Sequence, residues 1–198
     1  MISSMLGLHA SYYEDFPQRT VDYPGFEIGD PDAPNVMIEF IDYSCSYCYE
    51  FWNNQRSIIE EYVRPGHLRI IAKPMSFVRP AYSQAAAEAA ICAGEMGRFW
   101  EIQEKTWATY RDLGITGYVE SNFIIMATDI GLDEHDFVAC IRSYDVEQTA
   151  DEIEQEARDF GVTGTPSLLL NNEWVSWSYI RLALEDAMAP CWLNRGRA

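Results

Sequence analysis

The chain has 198 residues, long enough to bury a substantial hydrophobic core within one domain. Hydrophobic residues make up 48% and aromatic residues 14% of it, a composition typical of globular rather than disordered proteins. The 31 acidic residues outnumber the 14 basic ones and give a formal net charge of −17. Such a charge argues against binding to nucleic acid or to an anionic membrane surface, because both need a cationic face.

The N-terminal region, residues 1–34, is mixed in character, contains four prolines and is predicted to be an irregular lead-in. Its opening, MISSMLGLHASYYEDFP, lacks the basic and apolar regions of a secretory signal. No stretch of the sequence is apolar for long enough to cross a bilayer. Composition leaves a cytoplasmic and an extracytoplasmic location both open.

Residues 35–79 predict a strand, a helix and a second strand. The first strand, Val36–Ile41, is a nearly continuous apolar run, as in a strand buried on both faces. The amphipathic helix after it has Ser44 as its predicted N-cap and ends at Arg64–Gly66. The second strand is Leu68–Phe77, and this order predicts a right-handed βαβ unit with parallel strands.

The rest of the chain predicts a helical block followed by a short ββα unit. Residues 80–161 are helical throughout, beginning with an alanine-rich segment and ending at Gly161. Residues 162–190 contain two antiparallel strands and a last helix, and residues 191–198 form a tail. The two strands and the helix are Ser167–Leu170, Trp174–Trp177 and Tyr179–Met188.

Two of the five cysteines, Cys45 and Cys48, stand where the first helix begins. A thiol at a helix N-terminus faces unpaired backbone N–H groups and the positive end of the helix dipole, so its thiolate is favoured. Cys48 lies one turn further along on the same side, close enough to close a small disulfide ring. We therefore predict that Cys45 is a nucleophile and that Cys48 is the resolving thiol.

Two other interpretations of this pair remain open from the residues alone. A structural zinc site needs four ligands, usually from a second close pair, but the other cysteines and the histidines are scattered. The two thiols could also be buried and inert. We expect no metal site.

The stretch EFIDYSCSYCYEFW, followed far downstream by GVTGTPSLLL, resembles the DsbA-like thiol–disulfide oxidoreductases of the thioredoxin superfamily. The resemblance covers about residues 28–190. It implies an α/β, thioredoxin-like fold (βαβ–ββα) with an inserted all-helical block. It also implies a bacterial, periplasmic or otherwise extracytoplasmic enzyme that exchanges its CxxC disulfide with cysteines of protein substrates. Such an enzyme needs a redox partner protein but no metal or organic cofactor, and we expect a monomer.

The resemblance also assigns roles to four residues around the motif. It implies that the Thr165–Pro166 peptide bond is cis and lies across from the cysteines, where its backbone pairs with an incoming peptide. Ser46 and Tyr47, between the cysteines, would contribute to the same substrate-binding surface. The local alternative is an ordinary trans proline at the start of a strand.

Glu39 interrupts the first apolar strand six residues before Cys45. The resemblance links a buried acid at this position to proton transfer at the active site. A desolvated carboxylate with a raised pKa can accept the proton that Cys48 must lose before it attacks. The alternative is a carboxylate that reaches solvent at a strand end.

Cys92 and Cys140 both lie in the predicted helical block. The resemblance implies a second, structural disulfide between them, and such a bond favours an oxidising compartment. The alternative is two buried free thiols that behave as small hydrophobic residues. Cys191, in the tail, is expected to have no catalytic role.

The chain departs from the strongly oxidising members of the family between its two cysteines. Ser46-Tyr47 replaces their Pro-His, and tyrosine supports a thiolate less well than histidine does. We therefore expect a Cys45 pKa above that of the most acidic members and a less oxidising disulfide. A disulfide-forming oxidase is the main prediction, with an isomerase or reductase as alternatives and a non-catalytic peptide-binding module as a further one.

Overall fold

The computed structural model describes residues 11–21 and 24–189. The described chain forms one mixed sheet of six strands, together with seven α-helices. The strands are β1 (Gln18–Val21), β2 (Gly25–Ile28), β3 (Asn35–Asp42), β4 (Leu68–Met75), β5 (Ser167–Leu170) and β6 (Glu173–Val175). The helices are α1 (Ser46–Ile58), α2 (Pro80–Glu95), α3 (Phe99–Leu113), α4 (Glu120–Asp129), α5 (Glu134–Ile141), α6 (Tyr144–Asp159) and α7 (Ile180–Met188).

The strand order in the sheet is β1-β2-β4-β3-β5-β6. Strands β3 and β4 are parallel, and the predicted βαβ unit is thereby confirmed. Strands β5 and β6 form the predicted antiparallel pair, joined at Asn171 and Asn172, and β5 pairs antiparallel with β3. β3 is therefore a central strand, and it leads directly to the start of α1.

The prediction that residues 1–34 form an irregular lead-in was wrong for the second half of that segment. β1 and β2 form an antiparallel hairpin, and β2 extends the sheet by pairing with β4. Both strands have only four residues, too short for an alternating pattern to stand out in the sequence. Glu27, a charged residue in β2, is buried because Arg19 and Arg69 both form ion pairs with it.

The start of α1 also differs from the prediction. The residue at the N-cap is Cys45, not Ser44, and Cys45 makes no side-chain capping bond. Ser44 instead donates both its backbone N–H and its hydroxyl to Asp42 Oδ1, each at 2.7 Å. The helix continues through a π-helical turn at Ile59–Val63 and ends next to Arg64, as predicted.

The inserted helical block is organised around α2. This helix packs against α3, α4, α5 and α6, and both α2 and α6 pack on β4. The many buried alanines of α2 allow these neighbours to approach closely. Gly94 is required near its end, because a Cβ there would come within 2.2 Å of the Phe26 ring of β2.

Some expectations fall outside the described residues. These are the beginning of the N-terminal segment, residues 1–10, and the tail 191–198 with Cys191. Within the part of the chain that is described, no helix combines the length and apolar character needed to cross a membrane.

Candidate active site

Cys45 lies where β3 turns into α1. Its backbone N–H donates to the Asp42 carbonyl at 3.0 Å, and its carbonyl accepts the helical bond from Tyr49 N–H. Its side chain is only 7% exposed, and both Cys45 and Cys48 are free thiols here. The Cys45 Sγ donates to the Thr165 carbonyl oxygen at 3.2 Å, a contact between residues 120 positions apart.

The two thiols of the motif have opposite pKa shifts. The pKa of Cys45 is lowered to about 6, mainly by a hydrogen bond from Cys48, although burial acts in the opposite direction. Thr165 and the backbone N–H groups of Tyr47 and Cys48 also lower the pKa of Cys45. Burial raises the pKa of Cys48 well above its usual value. Cys45 is therefore suited to be the nucleophile, whereas Cys48 needs a proton acceptor before it can attack.

Asp42 connects the motif to the beginning of the helical block. Its carboxylate is fully buried, and its Oδ2 accepts from Val78 N–H and from the Ser83 hydroxyl. Its backbone N–H donates to Cys48 Sγ at 3.4 Å, while its Oδ1 accepts hydrogen bonds from Ser44. One residue thus fixes the turn before Cys45, the sulfur of Cys48 and the segment between β4 and α2.

Glu39 is buried in the middle of the sheet, with 1% exposure, so the alternative of a carboxylate that reaches solvent is wrong. Its backbone neighbours are Ala72 in β4 and Leu168 in β5. Desolvation raises its pKa to about 8, and a hydrogen bond from the Gln55 side chain opposes that shift. A group with this pKa can both accept and release a proton near neutral pH.

The Thr165–Pro166 peptide bond is cis, and its carbonyl faces the Cys45 sulfur. Ser46 and Tyr47 directly follow Cys45 and are both exposed, Tyr47 to 58%. The Tyr47 ring packs near the half-buried Trp177, with ring centroids 6.2 Å apart. The structure therefore brings all four predicted substrate-binding residues to one surface around Cys45.

Cys92 and Cys140 form a disulfide, as expected from the resemblance. The bond joins α2 to α5 across 48 positions of sequence, with Cα atoms 5.8 Å apart. Cys92 is fully buried in the core of the helical block. The alternative of two free thiols is therefore wrong.

Among the described residues, the cysteine pair belongs to no group with metal-binding geometry. One such group exists at the start of α5, where Asp133, His135 and Asp136 have possible ligand atoms within 4.8 Å of one another. All three side chains are exposed, and Asp133 Oδ1 already accepts the Asp136 N–H as a helix cap.

Sequence reasoning missed three residues of the site: Asp42, Gln55 and Trp177. Gln55 is the one with a readable signal, because it stands seven residues after Cys48 and therefore on the same face of α1. Asp42 directly follows the predicted strand, Val36–Ile41, where the sequence shows only an ordinary turn residue. Trp177 comes close to Tyr47 only when β6 is paired in the sheet.

A family model described as thioredoxin matches residues 23–186, which is most of the chain. This chain belongs to the thioredoxin family. A curated relative, the Na(+)/H(+) antiporter NhaA 1 of Salinispora arenicola, is 29% identical over 165 residues. That match covers 81% of this chain but only 24% of the relative, so the chain spans about a quarter of the relative's length.

Two solved structures have a fold similar to that of this chain. BdbD from Bacillus subtilis has a TM-score of 0.74 at 17% identity, covering 81% of this chain and 91% of BdbD. MdbA from Corynebacterium matruchotii, named as a thiol-disulfide oxidoreductase, has a TM-score of 0.69 at 15% identity, covering 81% and 86%. The expected DsbA-like fold, with its helical insertion, is confirmed.

Proposed function

We propose that this thioredoxin-family chain is a DsbA-like protein thiol–disulfide oxidoreductase. The observation that carries the proposal is the position of Cys45, at the first turn of α1 and within 3.2 Å of the Thr165 carbonyl beside a cis proline. Its pKa of about 6 makes it largely thiolate at pH 7, as a nucleophile or a good leaving group needs to be. The name of MdbA, a structural neighbour, describes the same activity.

In the disulfide-forming direction, the enzyme starts with a Cys45–Cys48 disulfide. A substrate thiolate attacks Cys45 Sγ, the bond between the two enzyme sulfurs breaks, and Cys48 leaves as a thiolate. A second substrate thiolate then attacks the substrate sulfur of the mixed disulfide, and Cys45 leaves as a thiolate. The substrate has lost two electrons and gained a disulfide, and the enzyme has become a dithiol.

Glu39 supplies and takes up the proton that Cys48 exchanges during this cycle. Its protonated carboxyl group gives a proton, by way of intervening water, to the Cys48 thiolate as that sulfur leaves. In the reverse direction its carboxylate accepts the proton from the Cys48 thiol before that sulfur attacks. The raised pKa values of Glu39 and Cys48 suit this exchange, because both groups prefer their neutral forms near pH 7.

The substrate is a cysteine-containing protein segment in an extended conformation, and it binds next to Thr165 and Pro166. There its backbone pairs with exposed backbone groups as an added strand, while Ser46 and Tyr47 contact its side chains. A redox partner protein removes the two electrons and restores the disulfide. The cycle uses no metal or organic cofactor, and the chain acts as a monomer.

An extracytoplasmic location follows from the same proposal. The Cys92–Cys140 disulfide supports an oxidising compartment, because such bonds persist mainly outside the cytoplasm. Disulfide formation on protein substrates also belongs to that environment.

The experiment is catalysed refolding of a reduced, unfolded protein, together with insulin reduction as the opposite reaction. Cys45→Ala should reduce both rates to those without enzyme, whereas Cys191→Ala, which removes a tail cysteine, should leave them unchanged. A wild-type protein no faster than Cys45→Ala, yet able to bind peptides, would instead identify a non-catalytic binding module. The reduction potential separates the directions, with about −120 mV for an oxidase and about −270 mV for a reductant.

A further inference from the structure

Gln55 is a buried amide placed between the cysteine helix and the central strand. It lies on α1 with 2% exposure, and its Nε2–H donates to Glu39 Oε2. Among the described residues, no other hydrogen bond to the Glu39 carboxyl group is found. The amide therefore acts on the same carboxyl group that the proposed function uses for proton exchange.

The position of Gln55 matches the geometry between α1 and β3. Cys48 and Gln55 are seven residues apart, about 10 Å along a helix, and Glu39 and Asp42 are three apart, about 10 Å along a strand. Cys48 Sγ contacts the Asp42 N–H at one end, and Gln55 contacts Glu39 at the other. The two polar contacts thus hold one face of α1 in register with β3.

Among the residues that the structure describes, no cation contributes to the pKa shift of Glu39. Its neighbours in the sheet, Ala72 and Leu168, are apolar. Lys73, the next residue in β4, lies opposite Phe40 and forms an ion pair with Glu156.

The titratable groups that face Glu39 are neutral at pH 7. Two of them, Tyr43, which directly follows β3, and Tyr13 from the segment before β1, interact electrostatically with Glu39. Cys48 on α1 is its proposed partner in proton exchange. Burial raises the pKa of each of these groups above its usual value. Within the described chain, the Gln55 amide is therefore the main group that favours the Glu39 carboxylate.

We propose that Gln55 is a positioning residue for proton exchange at Cys48. Its amide holds the Glu39 carboxyl group in place and stabilises the carboxylate that forms when Glu39 gives its proton to the leaving Cys48 thiolate. When the motif is oxidised again, the carboxylate takes the proton back from the Cys48 thiol and is protonated for the next cycle. This inference rests on the proposed function, in which Glu39 exchanges a proton with Cys48.

The first test measures the pKa of Glu39 by carboxyl-carbon NMR in the reduced protein. Gln55→Met keeps nearly the same volume but removes the amide donor. Because a hydrogen bond to a charged group is lost, the ionised fraction of Glu39 at a given pH should fall by about tenfold. In the unaltered protein, the side-chain amide signals of Gln55 should titrate with the same midpoint as Glu39, which tests the contact without any variant.

The second test measures the pH profile of the resolving step. The mixed disulfide of Cys45 with glutathione is prepared in a Cys191→Ser background, and the release of glutathione by Cys48 is followed by stopped flow. The wild-type rate should follow the ionisation of Glu39, and Glu39→Gln should remove that dependence. Gln55→Met should shift the midpoint of this pH dependence to higher pH and slow the release of glutathione about tenfold at pH 7.

The matched control is Gln103→Met. Gln103 is an equally buried amide, on α3, with its Oε1 accepting from the Tyr43 hydroxyl at 3.3 Å rather than contacting Glu39. Its loss should leave the Glu39 pKa and the profile unchanged. If Gln103→Met shifts the Glu39 pKa and the pH profile as much as Gln55→Met does, the shifts come from general destabilisation of the protein and the inference is wrong.

Two further outcomes separate this inference from the proposed function. If Glu39→Gln removes the pH dependence but Gln55→Met changes neither the pKa nor the profile, the role of Gln55 is refuted and that of Glu39 stands. If Glu39→Gln itself leaves the profile unchanged, the proton role of Glu39 fails, and the inference fails with it. In the Glu39→Gln background, Gln55→Met should have no further effect on the profile, and a tenfold effect there would also refute it.

Discussion

At the scale of single residues, the chemistry depends on two identical side chains in different environments. Cys45 stands at a helix start beside the Cys48 thiol and backbone donors, whereas Cys48 is 1% exposed and loses solvation without gaining comparable partners. The Thr165 hydroxyl is buried and has no hydrogen-bond partner of its own, so it can donate to the Cys45 thiolate. One position therefore favours the anion and the other the neutral thiol.

The first prediction concerns the ionisation of Cys45. Ultraviolet absorbance of the thiolate in the reduced protein should titrate with a midpoint near the pKa of about 6. Cys45→Ala should remove that titration. A midpoint below about 4, the range of the most acidic family members, would contradict the expected effect of Ser46-Tyr47.

The same pKa shift has a consequence for stability. The pKa of Cys45 is lower in the folded state than in the unfolded state, so its stabilising contribution is present above the unfolded pKa. That contribution is lost as the pH falls through about 6. The reduced form should therefore gain stability relative to the oxidised form as the pH rises from about 6 to the ordinary thiol pKa of 9.0, as measured by denaturant unfolding of both forms.

At the scale of elements, the motif depends on how three segments meet at Asp42. Asp42 ends β3, and its buried side chain is bonded to Ser44 in the turn before α1, to Val78 before α2 and to Ser83 in α2. Its two side-chain oxygens accept from four donors, the N–H and hydroxyl of Ser44, the Val78 N–H and the Ser83 hydroxyl. The geometry of the cysteines is thereby tied to the docking of the helical block.

The second prediction is that Asp42→Asn destabilises the protein by about 2–3 kcal/mol, because the new amide places donors against Val78 N–H and the Ser83 hydroxyl. Denaturant unfolding gives the free energy. Asp30→Asn is the matched control, since the Asp30 carboxylate accepts the Asp32 N–H in an exposed turn. A loss for Asp42→Asn no larger than that of the control would show that these bonds contribute little.

At the scale of the whole molecule, the helical block contains a disulfide bond of its own. The Cys92–Cys140 bond joins the central helix α2 to α5, and Phe26 of β2 packs against Gly94 of α2, which connects the same block to the sheet. The Cys92–Cys140 disulfide lies within the block, and we expect it to stabilise the fold. Cys45 and Cys48 lie at the start of α1, and we expect them to carry out the thiol–disulfide exchange.

The third prediction follows from that division. Replacing both Cys92 and Cys140 by alanine should lower the free energy of unfolding by about 4 kcal/mol, because the unfolded chain loses a long closed loop. Thiol–disulfide exchange should remain in the protein that still folds. A folded double variant that has lost exchange would show that this bond takes part in the chemistry, and Cys191→Ala should change stability by less than about 0.5 kcal/mol.

The sequence by itself determined the local features of this protein. A continuous apolar run predicted β3, the periodic pattern after it predicted α1, and the CxxC motif placed a thiol at the start of that helix. The alanine-rich segment and its successors predicted the helical block. Such features are readable because backbone geometry sets the period of a strand or helix within a few residues.

Only the tertiary structure decided which distant residues meet at the site. Thr165 reaches Cys45 because β5 pairs with β3, and Gln55 reaches Glu39 because α1 packs on β3. The β1–β2 hairpin was not predicted because its four-residue strands are too short to show an alternating pattern of polar and apolar residues. They are stabilised instead by pairing with each other and by the pairing of β2 with β4. These contacts depend on strand order and packing, which local periodicity does not encode.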